Sequence, residues 1–232
     1  VFSHVRRQIF LTVHGDDFLA AGSASSLSWF ERTLLTTFEG KVKGRLQKPG
    51  DELRILNRIA RRTEDGYEWE ADQRHAEMIV ASAGLDGESR PLTNPGRKLA
   101  GKEIDDEPEL LNAEAASEYS ARAARANFLA SHRPDIAFAV NELCRGMSAP
   151  TARNREALKR LARYLLGKPR VVCQYAWQCT PDALDVFTDS DWAGCVKTRR
   201  STTGGALMRG RHVLKTWSHT QATIALSSAE AE

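Results

Sequence analysis

The 232 residues contain no zinc-finger pattern and no disulfide framework. The four cysteines, Cys144, Cys173, Cys179 and Cys195, form no CxxC pair, and no two histidines stand at zinc-finger spacing. With no secretory signal peptide in view, free thiols point to a reducing intracellular compartment, cytoplasm or nucleus. No apolar run reaches ~18 residues, so no membrane partner is expected. Strong charge of one sign is also missing. A net charge of +3 tolerates an acidic partner without demanding one. No internal repeat is visible.

What remains is ordinary globular composition, 27% charged, long enough for one large domain or two small ones. The chain starts at Val1 with sequence that reads as mid-domain, and it stops at "SSAEAE", where a helix begins. This predicts a fragment of something longer.

Residues 8–13 and 18–21 are short apolar runs around His14-Gly15-Asp16-Asp17, a hairpin pattern. Residues 25–38 follow as an amphipathic helix with Leu27, Phe30, Leu34 and Phe38 on one face and Ser25 or Ser26 as its cap. The stretch from Lys41 to Tyr67 is strand-rich and basic, with a hairpin turn at 64–66. Residues 70–83 predict a short helix ending near Gly84. The Gly-, Pro- and charge-rich stretch 86–108 is the linker candidate. Residues 112–147 predict two helices broken at "SHRPDIAFAV", with Pro134 in the first turn of the second. A third helix covers about 151–166. Three strands and a helix start at 227 complete a β-β-β-α order.

Four features carry chemistry. The first is "FLTVHGDDFLAAG", residues 10–22. A polar turn needs one acid; Asp16 and Asp17 together add repulsion. Either the tip is solvated, or a cation relieves the crowding. The second is "LDVFTDSDWAG", where alternation separates Leu184, Val186 and Thr188 from Asp185, Phe187 and Asp189. Asp191, before Trp192, starts a turn. The third is Ser227-Ser228-Ala229-Glu230, a capping-box pattern that gives Glu230 a structural job, whereas Glu232 lies further along the helix. The fourth is helix 151–166. At 100° per residue, Arg153, Arg155, Lys159, Arg160 and Arg163 share an arc of about 160°, interrupted only by Glu156. Ala157, Leu158, Leu161, Tyr164 and Leu165 lie opposite. That basic face either contacts nucleic-acid phosphates or is plain solvated surface. His4, His75, His212 and His219 have no ligand spacing. Trp69, Trp177, Trp192 and Trp217 read as core fillers, and "RKLAGK" at 97–102 as solvated linker.

Several stretches match one family in order. "VHGDDFLAAG", "RPDIAFAVNELCRGMSAPT", "ALKRLARYLLGKP", "DSDWAGCVKTRRSTTGG" and "WSHTQATIALSSAEAE" resemble the Pol polyprotein of copia-type retrotransposons. The resemblance covers essentially the whole chain. It implies an α/β (α+β) fold in three parts. Residues 1–95 would be the end of a reverse-transcriptase palm with a thumb-like region, 96–180 a linker and helical connection, and 181–232 the β-β-β-α start of a ribonuclease H-like domain. The implied parent activities are RNA-directed DNA synthesis and cleavage of RNA in hybrids, with Mg²⁺ or Mn²⁺ held by carboxylates. Asp16 and Asp17 would be part of one metal site, whose further acid lies upstream of Val1. Asp189 would be the first ligand of the second site, with Glu232 favoured over Glu230 as its helix glutamate. Implied partners are an RNA–DNA hybrid or primer–template duplex and the remaining polyprotein segments. There are departures: the usual aromatic before x-Asp-Asp is His14, the usual Thr before "RPDI" is His132, and the glutamate motif stops at Glu232 where an aromatic normally follows. The chain alone is therefore expected to be inactive.

Overall fold

The computed structural model describes residues 1–85, 88–96, 108–195 and 198–232. They form two compact units, Val1–Arg45 and Leu46–Glu232. Both combine antiparallel sheet with helix, an α+β class.

The first unit opens with β1 (Phe2–His4), a single 3-10 turn (Val5–Arg7), β2 (Ile9–His14) and β3 (Asp17–Ala21), in sheet order β1-β2-β3. The helix α1 (Ala24–Thr37) follows. Its cap is Ser23, whose Oγ accepts from the Ser26 N–H at 3.3 Å, and not Ser25 or Ser26. Ser26 instead turns inward, its hydroxyl donating to the Arg7 carbonyl at 2.9 Å. Phe38 leaves the expected apolar face because the backbone is already extended there (φ −126°, ψ 142°). Ile9 is the buried apolar residue of this unit's sheet, and the Arg7 guanidinium stacks 4.1 Å over Trp29.

In the second unit, β4 (Glu52–Ile55), β5 (Arg58–Arg62), β6 (Gly66–Ala71) and β7 (Val172–Ala176) make one antiparallel sheet in that order. Regular strand thus begins at Glu52, not at Lys41. Arg62 and Tyr67 close the expected hairpin around 63–65. The following helix, α2 (Arg74–Ser82), starts four residues later than its pattern suggested. Glu70 and Ala71 belong to β6, where the Glu70 carboxylate is buried under Arg61 and Arg170. Strand β7 is not announced by any pattern in the sequence. Its partner β6 lies 100 residues away, so no local signal marks the pairing.

Helix α2 packs on α3 (Ala113–Ala130) and α5 (Ala152–Gly167); a 3-10 turn (Pro134–Ile136) and α4 (Ala137–Arg145) pack in turn on α3, and α4 also on α5. Ile79, Tyr119, Leu129, Ile136, Leu161 and Leu165 are at most 2% exposed and anchor the core. Pro134 occupies the first position of the 3-10 turn, where its missing N–H costs nothing. Thr151 and Asn154 form a reciprocal capping box on α5. Its buried stripe is Leu158, Leu161, Ala162, Tyr164 and Leu165; Ala157 lies outside it, exposed. Residues 88–96 run along α5, while the rest of the linker candidate up to residue 107, including all of "RKLAGK", lies outside the described residues.

The unit ends with β8 (Asp185–Asp191), β9 (Thr202–Arg209), β10 (His212–Thr220) and the short α6 (Ser228–Ala231), in sheet order β10-β9-β8. The Tyr175 hydroxyl donates to the Val213 carbonyl at 3.1 Å and ties this sheet to β7. No helix among the described residues is long and apolar enough to cross a membrane.

Candidate functional site

Asp16 and Asp17 sit at the tip of the β2–β3 hairpin. His14 pairs with Asp17, leaving Gly15 and Asp16 as a two-residue loop. Gly15 adopts φ 60°, the left-handed value such a loop requires at its first position. Both carboxylates thus project from a tight turn that two strands hold in place. The ammonium of Lys43 forms an ion pair with Asp17 within the same unit.

On β8, Asp189 pairs with Gly204 and Asp191 with Thr202. The Asp191 carboxylate accepts from the Thr202 N–H, and Ser201 Oγ accepts from the Ala193 N–H at 3.0 Å. Asp191 is therefore spent on the turn after β8. Asp189 has no such duty. It lines a cavity of about 430 Å³ together with Thr216 and Ser218 below and Pro134, Ala137 and Phe138 above.

Of the C-terminal glutamates, Glu230 takes the capping role its spacing suggested, while Glu232 stands just past α6 as its C-cap and not further along the helix. Ser227 Oγ accepts from the Glu230 N–H at 3.2 Å, and the Glu230 carboxylate accepts from the Leu226 N–H at 2.8 Å. Glu230 is a cap, and Glu232 ends the chain. Gln221 donates to Thr203 Oγ1 at 2.9 Å and also to the Ala231 carbonyl. Thr203 pairs with Ser190, so strand alternation puts this tie on the face opposite Asp189. The register therefore does not bring α6 onto the Asp189 face.

As hard oxygen donors, these carboxylates suit Mg²⁺ or Mn²⁺. As sets they fall short. The hairpin offers two carboxylates, one already paired with Lys43. Among the described residues, no group of three or more His, Cys, Asp or Glu side chains could hold a metal. The described residues do not fit a complete metal centre.

The five basic residues of α5 have different surroundings. Arg163 Nε donates to the Arg90 carbonyl at 2.7 Å and Arg160 Nε to the Gly96 carbonyl at 3.1 Å. These two hold segment 88–96 against the helix. Arg153 also has an interaction partner. Arg155 and Lys159 are exposed. They form the outward part of the basic face.

Sequence reasoning missed the most buried charge among the described residues. Arg133, 1% exposed, forks onto Asp135 and also donates to the Lys168 and Pro169 carbonyls at 2.8 and 2.9 Å. The Tyr164 hydroxyl donates to Asp135 at 2.8 Å. Burial pushes the Asp135 carboxyl up, but the hydrogen bonds from Arg133 and Tyr164 outweigh it and hold it below the usual carboxylate range. Burial, followed by its hydrogen bond to Asp135, pushes the Tyr164 phenol up to about 12. Next to this cluster, Arg58 Nε donates to His132 Nε2 at 2.9 Å, so the imidazole is neutral. Burial, then the Arg58 charge, lowers its pKa. Two tryptophans expected in a core are not there: Trp177 is 58% exposed and Trp192 is 49% exposed. Trp192 is held at the surface by its Nε1–H donating to the Ala225 carbonyl.

No protein-family model matches the chain, and no solved structure matches it significantly. Among curated proteins, it is 28% identical to the uncharacterized mitochondrial protein AtMg00810 of Arabidopsis thaliana, over 97% of this chain and 88% of that protein. It is 36% identical to the retrovirus-related Pol polyprotein from transposon RE1 of Arabidopsis thaliana, over 50% of this chain and 8% of the polyprotein. It is 26% identical to the corresponding polyprotein from transposon TNT 1-94 of Nicotiana tabacum, over 97% of this chain and 17% of that one. The chain thus spans most of the first relative but only a small part of the polyproteins. With its motif series in the same order and the match running nearly end to end, the chain belongs to the copia-type retrotransposon Pol polyproteins.

Proposed function

We propose that this chain is the polymerase-to-ribonuclease segment of such a polyprotein. Residues 1–95 are read as palm end and thumb-like region, 96–180 as linker and helical connection, and 181–232 as the start of a ribonuclease H-like domain. The intact parent would be an RNA-directed DNA polymerase with hybrid-specific ribonuclease activity, acting on a primer–template duplex. The carrying observation is the placement of Asp16 and Asp17 at the tip of a two-residue hairpin between apolar strands. The order β10-β9-β8, with Asp189 on the first strand of the β-β-β-α unit, supports the second half of the reading.

The chain's own residues supply part of this chemistry. The hairpin fixes two carboxylates side by side, and β8 fixes Asp189 beside an open cavity. In the intact parent, divalent ions would neutralise charge on the transferred phosphoryl group. Among the described residues no complete ion site forms, so the isolated chain should neither extend a primer nor cut a hybrid. The test is a chain carried upstream and downstream in its reading frame. Primer extension there should fall by several orders of magnitude on Asp16→Asn, and hybrid cleavage likewise on Asp189→Asn. Unchanged rates in both variants would remove the reading.

A second reading is a non-catalytic nucleic-acid-binding remnant or interaction module. The Lys43–Asp17 ion pair favours it, because a lysine held on a candidate metal ligand competes with the ion. Inactivity of the extended, folded chain with retained duplex binding would select it.

A further inference from the structure

Asp189 is exposed on its strand, yet the part of its sheet face that runs across β9 and β10 is roofed. Register puts Asp189, Gly204 and Ser218 side by side across β8, β9 and β10. The same face meets Pro134, Ala137 and Phe138, which belong to the 3-10 turn and α4. Helix α4 packs on β10, and Asn141 Nδ2 reaches Thr220 Oγ1 at 3.5 Å. The space left between them is about 430 Å³. Binding sites for small molecules run from roughly 300 to 1,000 Å³. The gap is therefore of small-molecule size, too narrow for a duplex.

We infer that α4 and the turn before it mask the Asp189 face, so that a nucleic-acid duplex reaches this face only after the β8–β10 sheet swings off α4. This rests on the reading of Asp189 as a hybrid-facing acid. The two sides of the joint are unequal. Helix α4 is fixed from behind: Ala139, Val140 and Leu143 are buried in the helical core, and Arg133, just before the turn, is locked to Asp135 and to the end of α5. The roof cannot lift without opening that core. The sheet is held by polar ties, Tyr175 to Val213, His212 to Ala176, Gln178 to Arg209 and Asn141 to Thr220, and by one edge-on ring contact of Tyr175 with His212. Its link to β7, residues 177–184, contains no helix or strand. The moving part is therefore the sheet, turning about 177–184. Phe138, 49% exposed, is the side chain that it would clear.

The test uses the whole chain with Ser218→Cys as a reporter, its labelling by a bulky maleimide resolved by mass spectrometry from the native cysteines. Two undocking backgrounds are compared. Phe138→Asp with Asn141→Asp sets carboxylates against Asp189 and Asp191, and suits the first turns of a helix. Phe138→Ala with Asn141→Ala removes the roof without adding charge. Reporter labelling should rise roughly 5- to 30-fold in either background, the factor that corresponds to about one to two kcal/mol. An RNA–DNA hybrid should then slow labelling in the undocked chains and not in the parent. A parent that already labels as fast as both undocked chains overturns the mask. Faster labelling on undocking, without protection by the hybrid, keeps the mask and overturns Asp189 as a hybrid-facing acid.

Discussion

Arg133 and Asp135 meet through two parallel hydrogen bonds, Nε to Oδ1 at 2.9 Å and Nη2 to Oδ2 at 2.8 Å, two residues apart across the proline that starts the turn into α4. The remaining donors of the same guanidinium reach the carbonyls that end α5. One side chain thus joins the start of one helix to the end of another. Arg133→Ala would leave the half-buried Asp135 with only the Tyr164 hydroxyl as a side-chain donor, and two carbonyls would lose their donor. Removing one member of a buried pair costs about 3–5 kcal/mol. Chemical denaturation should show a loss of that size. Arg133→Lys should recover only part, because an ammonium cannot span the planar fork.

Acid should act in two windows. His132 is neutral in the fold and its pKa is lowered by burial and by Arg58. The unfolded chain then binds the proton first, so stability is full above the unfolded value of about 6.5 and falls as pH drops below it. Asp135 and Asp72 also lie below their usual range. Hydrogen bonds from Arg74 dominate at Asp72, and those from Arg133 and Tyr164 overcome burial at Asp135. Their contribution is present above about pH 3.9 and is lost as pH falls through the folded values. Thermal melts of His132→Gln should lose the first window and keep the second.

Thr202, only 5% exposed, buries its Oγ1 without a hydrogen-bond partner among the described residues. A buried polar group left unpaired costs about 1–3 kcal/mol. Thr202→Val keeps the β-branched shape on β9 and removes that group. Its midpoint of denaturation should rise, or at least not fall. The neighbouring backbone bond to Asp191 is untouched by the change.

The basic face of α5 should split by function. Arg155→Ala with Lys159→Ala removes the exposed pair, and the log–log salt slope of duplex binding should shrink by roughly 0.9 for each phosphate that is no longer neutralised. Arg160→Ala with Arg163→Ala instead frees segment 88–96 from the helix, and amide exchange at Leu92 should accelerate. An unchanged slope in the first, folded variant assigns that pair to solvent.

The sequence showed most clearly whatever is decided within a few residues. Gly15 between two apolar runs announces its hairpin, Thr151 and the Gly-Lys-Pro after it bracket α5, and Ser227 with Glu230 spells a cap. Arg133 is different. Nothing local separates it from a surface arginine, because its burial depends on α5 ending beside it 35 residues later. Strand β7 and the late start of α2 were hidden for the same reason: both follow from β6 pairing across 100 residues and from Glu70 finding Arg170. Of the acidic site, the placement of Asp16, Asp17 and Asp189 on strand and turn was legible. That α4 would cover the Asp189 face was not, since helix and sheet meet only through tertiary packing.

Strand β8 ends its sheet, and no described strand pairs with its outer side. Val186 and Phe187 are 59% and 60% exposed on this seven-residue edge, which makes it a template for a second chain. Asp185, Asp189 and Asp191 punctuate the same strand. Two such edges laid together would set these like charges against each other, so Asp189, the acid proposed for chemistry, would with its two neighbours also keep copies of the chain apart. Neutralising them to asparagine would turn a question of catalysis into one of solubility, with aggregates appearing in concentrated samples before any change in the fold.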